Sequence, residues 1–542
     1  MKSKRQYFYN ALLLTAVALL MRTVSVGFNV YVSNRVGAEA MGLLALVSSV
    51  YGFAVTLATS GIHLATVRTL AERMERTGGA ENKKCLAACL SYAAFFGSLS
   101  AVLLFALSRP LGLGVLKDAR TVRALQMLSL TLLPIALTSV LNGYFTAVRR
   151  AWKNALAQVA EQGIKITLTG YLLVIVAPKT IEGCVLAILA GGAVSESCSL
   201  LLNLVLYFFD KRHFRDIPPL KSGKKVRVAA IAMPVAISAY MRSGLLAIEH
   251  ILIPRGLISY GAGSSAALAA YGSLHSMALP VVLFPSAILT SFASLLIPEV
   301  TEQQAAGNRV EIRYIASRVY QMTMLFSIGA GAIMLFLSGE LGEVLYESAE
   351  VASFIRFLAP LVPVMYLDTA TDAMLKGLGQ QVYSMNVNIL DALVSVITVA
   401  LLVPRMGIMG YLVTIYITEI LNAALSITRL LYISGFRPKL HLVLLRPLAS
   451  AVGATCIAKL LFFAVPVAGM NTGVSLAVHI LLTSILYFIL LYLTGGFGKK
   501  DTKWLIGSLS PAKKEKSPPE SPVFASSTRP RVQNERQYVN KV

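Results

Sequence analysis

An all-α polytopic membrane protein is the fold class that three features of the sequence predict. Of 542 residues, 56% are hydrophobic and only 14% are charged, with a mean hydropathy of +0.68; a soluble chain of this length needs more surface charge. Apolar runs long enough to cross a bilayer, which takes ~20 residues, recur from the N-terminus to about residue 496. Lysine and arginine collect in alternate connections between those runs, so the net charge of +23 reads as membrane topology and not as nucleic-acid binding.

About fourteen spans are expected. The first, 8–36, follows Lys2, Lys4 and Arg5 as a signal peptide would, but it is too long for a cleaved apolar core and carries Arg22, so it is read as an uncleaved span. The second, 41–70, ends in Leu70-Ala71-Glu72. Spans 84–108 and 121–147 flank a turn with Arg109, Lys117 and Arg120, and Pro134 bends the latter. Spans 153–177 and 181–209 precede the longest basic connection. The seventh, 227–253, holds Arg242, and the eighth, 268–297, is interrupted by Pro280 and Pro285. Spans 313–338, 350–376 (with Pro360 and Pro363), 382–403 and 407–433 follow, and 441–465 and 473–496 close the membrane region. With the N-terminus inside, 22 basic residues fall on cytoplasmic connections and seven on the opposite ones, which places both termini in the cytoplasm. The tail is rich in Pro, Ser and Lys and is expected to be disordered.

Weak internal symmetry divides the chain. Met21-Arg22-Thr23 is matched by Met241-Arg242-Ser243 at an offset of 220, and Arg35 and Arg255 keep that offset. Leu70-Ala71-Glu72 and Ile297-Pro298-Glu299 lie 227 apart, and Glu161 and Asp391 lie 230 apart. Such a series points to two related bundles. The expected units are 1–208, a basic linker 209–226, 227–433, a helix pair within 434–498, and the tail 499–542.

Charged groups inside spans are the candidate functional residues, because each is costly unless paired or hydrated. Arg22, Ser25, Asn29 and Ser33 share one helix face. Arg22 and Arg242 are expected to face each other across a cavity and hold an anionic group, since a guanidinium donates two parallel hydrogen bonds to phosphate. Glu161 and Lys165, four residues apart, form either a local ion pair or a cavity wall. Glu249, next to His250, marks the outer membrane interface or meets a polar headgroup. Asp368, Asp372 and Lys376 form an i, i+4, i+8 stripe that lines the second bundle or serves ion coupling. Glu196 and Glu419 read as helix–helix hydrogen-bonding acids. His63 and His275 are isolated, so no metal site and no cofactor are expected. No phosphate-binding loop, nucleophile elbow or metalloprotease motif occurs, so an enzyme is not expected.

Ser60-Gly61-Ile62, Gly143-Tyr144-Phe145, Ile253-Pro254-Arg255, Ala270-Tyr271-Gly272, Met277-Ala278-Leu279-Pro280, Phe284-Pro285, Leu296-Ile297-Pro298-Glu299 and Lys376-Gly377-Leu378-Gly379 resemble the stage V sporulation protein B branch of the polysaccharide flippases. That branch belongs to the multidrug/oligosaccharidyl-lipid/polysaccharide exporter superfamily and is related to the lipid II flippase. The resemblance implies two six-helix lobes forming a V-shaped cavity, with two further helices at the C-terminus. It implies a monomer in the bacterial cytoplasmic membrane, with membrane lipids around it. Its implied cargo is an undecaprenyl-pyrophosphate-linked oligosaccharide or peptidoglycan precursor, and Arg22 matches a cavity arginine of the lipid II flippase. Two alternatives stand beside it: a cation-coupled multidrug-type exporter, and a non-transporting scaffold of a cell-wall or sporulation complex.

Overall fold

The computed structural model describes residues 2–77, 82–150, 152–176, 180–211, 228–438, 441–464, 471–498 and 501. Among the described residues the secondary structure is helical and no strand occurs. The first half comprises α1 (Lys2–Thr59), α2 (Ile62–Thr77), α3 (Asn82–Arg109), α4 (Arg120–Ser129), α5 (Leu132–Ala147), α6 (Trp152–Val176) and α7 (Ile181–Lys211). The second comprises α8 (Val228–Tyr260), α9 (Ser264–Gly272), α10 (Leu279–Leu283), α11 (Ser286–Ala305), α12 (Arg309–Phe336), α13 (Ser338–Tyr346), α14 (Ala349–Leu358), α15 (Val362–Gly377), α16 (Gln381–Met406) and α17 (Ile408–Ser434). The last pair is α18 (Arg446–Ala464) and α19 (Thr472–Leu493).

Twelve helical segments among the described residues are long and apolar enough to cross a membrane, against an expectation of about fourteen. One of them, Ala16–Glu72, takes in the second expected span and the first from residue 16 on. Gly37 divides it, at φ 80° and ψ 170°, a conformation open to glycine and strained for other residues. Trp152–Val176, the expected fifth span, lies outside the twelve. It is long enough at 25 residues but carries Lys153, Glu161 and Lys165.

Breaks within the other expected spans have identifiable causes. α1 and α2 part at Ser60 and Gly61, both at positive φ. A side chain on Gly61 would come within 2.8 Å of the Ala232 carbonyl oxygen, so glycine lets α8 approach. The eighth span is broken into α9, a π-helical turn Ser273–Ala278, α10 and α11. Pro280 and Pro285 sit where α10 and α11 begin, positions that need no intrahelical donor. Pro360 does the same for a 3₁₀ turn, Ala359–Leu361, between α14 and α15.

In the first half α6 packs on α7, and α3 and α2 pack on α5. In the second, α8 packs on α16, α16 on α17, and α15 against α11, α12 and α17. The pair α18–α19 rests on α12. The two halves meet where α1 runs against α8, α9 and the π turn, and where α2 touches α8. One apolar core crosses that meeting line, including Leu43 and Val47 on one side and Leu268, Leu274 and Ile253 on the other. The expected linker 209–226 lies outside the described residues apart from its first residues, as do the Gly78 turn and the tail 499–542 apart from Asp501.

Candidate functional site

The polar face of α1 is turned toward the second half of the chain. Asn29 Nδ2 donates to the carbonyl of Ser276 at 2.7 Å, in the π turn. The α-helical partner of the Ser276 carbonyl would be the amide of residue 280, which is Pro280 and has no N–H, and Asn29 uses that acceptor. α1 is continuous from Arg22 to Asn29, and seven residues are nearly two turns, so Arg22 lies on the same face about 10 Å along the axis. Arg22 and Ser25 are exposed, and no ion pair to Arg22 occurs among the described residues. Ser33 is buried and donates to its own helix at the Asn29 carbonyl, 2.7 Å.

The opposite face of the same segment is apolar. Val24, Phe28 and Tyr31 line a cavity of about 610 Å³ with Ile166, Thr167, Gly170, Tyr171 and Val174 of α6. α1 therefore separates a lipid-like groove from a polar stripe within a few turns.

In the second half, Arg242 on α8 is exposed and acts electrostatically on Asp391 of α16 and Asp368 of α15. Glu419 of α17 faces both of those aspartates. Glu249, two turns beyond Arg242, is only 8% exposed and faces Ser395 and Asp391 on α16. The structure thus places Glu249 among helices, where the sequence reading set an interface or headgroup position. Four carboxylates and one guanidinium converge from α8, α15, α16 and α17, and Asp368 keeps a buried Oδ1 without a hydrogen-bond partner. Asp372 is turned elsewhere: Lys376 Nζ reaches its Oδ2 at 2.5 Å and the Ser384 hydroxyl donates to its Oδ1. The expected stripe of Asp368, Asp372 and Lys376 is therefore split into a local ion pair and one acid facing the cluster. Arg356 of α14 donates to Ser338 Oγ at 3.0 Å.

The first half has its own polar cluster. Tyr51 of α1 bridges Thr131 Oγ1 at 2.5 Å and Glu196 Oε2 of α7 at 3.3 Å. Glu161 and Lys165 of α6 both act on Glu196, and among the described residues no ion pair joins them to each other. Of the two readings their spacing left open, the local pair does not close.

A seam of contacts between the halves lies beside the turns 36–41, 109–120 and 254–264, the expected outer face. Gly42 of α1 and Gly272 of α9 pack backbone to backbone; a side chain on either would overlap the carbonyl oxygen of Leu268 or Ala38. Ser265 donates to Glu39, which also meets Arg120 at 2.8 Å, and Arg255 donates to the carbonyls of Gly114 and Val115. Further along α8, Thr56 donates to Ser243 at 3.1 Å and Ser60 pairs with Tyr240. Tyr51, Tyr240 and Ser276 carry no signal in the sequence, because their partners lie 80 or more residues away. Among the described residues no group of His, Cys, Asp and Glu has the geometry of a metal site.

A protein-family model described as "Polysaccharide biosynthesis protein" matches residues 8–304. Stage V sporulation protein B of Bacillus subtilis (strain 168) is 25% identical over 418 residues, spanning 75% of this chain and 80% of that protein. Sporulation protein YkvU of the same organism is 24% identical over 249 residues, 45% of this chain and 56% of that one. Among solved structures, the lipid II flippase MurJ in an inward closed conformation superposes with a TM-score of 0.67 at 12% identity, covering 88% of this chain and 98% of that one. An inward-facing multidrug resistance MATE family transporter of the MOP superfamily gives 0.61 at 14% identity, covering 78% and 99%. These likenesses bear out the resemblance read from the sequence and the all-α polytopic fold. The matched model covers more than half of the chain, from the first span through α11, and the chain belongs to the polysaccharide biosynthesis protein family.

Proposed function

We propose that this protein is a flippase that carries an undecaprenyl-pyrophosphate-linked oligosaccharide or peptidoglycan precursor across the bacterial cytoplasmic membrane by alternating access. The reading takes 1–208 and 227–433 as two lobes that rock about the α1–α8 seam, with both termini in the cytoplasm. The observation that carries it is the polar face of α1: Arg22, charged at every physiological pH, has no carboxylate partner among the described residues and shares a face with Asn29, which points at the other half. A guanidinium at membrane depth without a protein anion is suited to a ligand anion, and a pyrophosphate offers paired oxygens to its two-pronged donor set. The apolar groove of Val24, Phe28 and Tyr31 on the back of the same segment gives a polyprenyl chain a surface outside the polar stripe. The likeness to the lipid II flippase structure supports the fold on which this cycle depends.

The experiment is mass spectrometry of lipids co-purified with the full chain. A pyrophosphate-linked polyprenyl lipid retained by the natural protein and lost from Arg22→Ala is the expected result. Bulk phospholipid alone, in both proteins, overturns the reading.

A second reading, a cation-coupled multidrug-type exporter, is favoured by the convergence of Glu249, Asp368, Asp391 and Glu419 in the second half. It predicts cation-dependent efflux of lipophilic amines from proteoliposomes, which the flippase reading does not.

A further inference from the structure

A buried aromatic cluster beside the seam has no part in the site described above. His250 of α8 and His275 of the π turn meet edge to face with ring centroids 4.5 Å apart. Tyr271 of α9 stacks on His275 at 5.3 Å, and its hydroxyl lies 3.1 Å from His250 Nδ1. Tyr271 is fully buried, and His275 Nδ1 is a buried atom with no hydrogen-bond partner. The titratable groups around the pair are Glu249 on α8, Tyr271 on α9 and Tyr411 on α17, where Glu249 and Tyr271 both act on Tyr411. Among the described residues no carboxylate acts directly on either ring.

We propose that His250 and His275 form a binding site for a single proton, whose occupancy opens the seam between α1 and the π turn. Three features carry this. The Nδ1 of His275 is an imidazole nitrogen that no donor or acceptor among the described residues satisfies, and such a group takes either water or a proton. Two imidazolium rings at 4.5 Å repel each other with no counter-ion between them, so the pair holds one proton and not two. The third feature is mechanical. His275 is followed by Ser276, whose carbonyl accepts from Asn29 and whose hydroxyl donates to Met41 O at 3.2 Å, both across the seam. A charged His275 draws water to the π turn, and hydration there competes with those two contacts and with the Gly42–Gly272 packing. The neutral pair stabilises the closed seam; the protonated pair stabilises the open one. Once the seam is open and hydrated, an imidazole there changes charge between about pH 5 and 8, the range of an unburied histidine. A proton entering from the open side and leaving from the other would couple the seam to a proton gradient, and this last step rests on the flippase reading.

The test measures the seam directly. Spin labels at Lys117→Cys and Glu350→Cys, both exposed and on different halves, report its width in full-length protein whose five native cysteines are replaced. The ratio of long to short distances is expected to rise about tenfold between pH 8 and 5.5. The rise should vanish in His275→Gln and His250→Gln. It should change midpoint in Tyr271→Phe, which keeps the ring and removes the hydroxyl beside His250. His479→Gln is the control, because His479 is a histidine outside the pair, 3.3 Å from Glu340 on the helix that precedes the labelled one. A seam that does not respond to pH, or a response that survives both histidine substitutions or is lost only in His479→Gln, overturns the proposal. If one histidine variant does not fold, the other and Tyr271→Phe decide the result. Failure of the flippase reading is read separately, as absence of a pyrophosphate-linked lipid from the purified protein.

Discussion

Asn29 and Ser276 stand 247 residues apart in the chain and 2.7 Å apart in the structure, amide nitrogen to carbonyl oxygen. That one bond joins the polar face of the first helix to the π turn of the other half. Arg22 shares that face of the helix, nearly two turns away.

Removing it should loosen the seam without unfolding the protein. A hydrogen bond of this kind contributes about 0.5–1.5 kcal/mol net, so Asn29→Ala should move the closed-to-open ratio by roughly threefold to tenfold toward open. Asn29→Gln, with the same donor on a longer arm, should move it less. Distance distributions between labels at Lys117→Cys and Glu350→Cys check this at constant pH. An unchanged distribution in Asn29→Ala would show that the bond has no weight in the seam.

The glycine contact predicts a larger effect. A methyl group on Gly42 overlaps the Leu268 carbonyl oxygen, while one on Gly27, in the same helix, meets nothing within 4 Å. Gly42→Ala should destabilise the closed state by about 1–3 kcal/mol, as overpacking does. Gly27→Ala should be neutral or slightly stabilising, because alanine is the better helix former. Thermal unfolding and the label distances distinguish the two variants, and equal behaviour would refute the close backbone contact.

Much of this architecture is legible in the sequence, for reasons that differ by element. Hydrophobic length fixes spans such as 84–108 and 181–209, because a bilayer imposes a minimum on each. Pro280, Pro285 and Pro360 mark breaks that the structure contains, since proline withholds a backbone donor. The break at Ser60–Gly61 is different. The second span is apolar straight through it, and the turn exists because α8 comes close at Ala232, a tertiary fact. The same holds for the site. Arg22 and Arg242 are visible as charges in apolar runs, whereas His250 and His275 are 25 residues apart with no ligand spacing and meet only because a π turn rotates the chain. Glu161 and Lys165 show the reverse failure: ideal helical spacing, and no ion pair between them among the described residues.

The end of the membrane region carries another test. Arg318 of α12 forms an ion pair with Asp501, whose Oδ2 also accepts from the Gly498 backbone at 2.8 Å. Both side chains are mostly buried. Ending the chain after Ser508 leaves this contact in place and should leave insertion and thermal stability unchanged. Asp501→Ala should cost about 1–3 kcal/mol, the range for losing a charged hydrogen bond. Equal melting of all three proteins would mean that Asp501 docks nothing of consequence.

Orientation is testable with single cysteines. If both termini are cytoplasmic, as proposed, Glu350→Cys should react with an impermeant thiol reagent in intact cells and Ser222→Cys should not, in a background without the native cysteines. The inverse pattern would reverse the direction of transport.

The arginine pair separates the clamp from a purely structural role. If Arg22 grips a pyrophosphate, Arg22→Ala should lose about tenfold to a hundredfold in affinity for a polyprenyl-pyrophosphate, the value of a charge-assisted contact. It should still insert and melt normally, because no protein carboxylate is stranded by its loss among the described residues. Arg22→Lys should recover part of the loss, keeping the charge without the two-pronged geometry. Arg242 differs, since it sits beside Asp368 and Asp391. Arg242→Ala leaves those acids without their cation and should lower thermal stability as well as affinity. In the double variant, binding losses larger or smaller than the sum would show that both groups act on one ligand, while strict additivity would place them at separate sites. Melting curves with and without the lipid measure both quantities on the same samples. An Arg22→Ala protein that melts early and still gains full stability from the lipid would mean that Arg22 holds the fold together and that the pyrophosphate binds elsewhere.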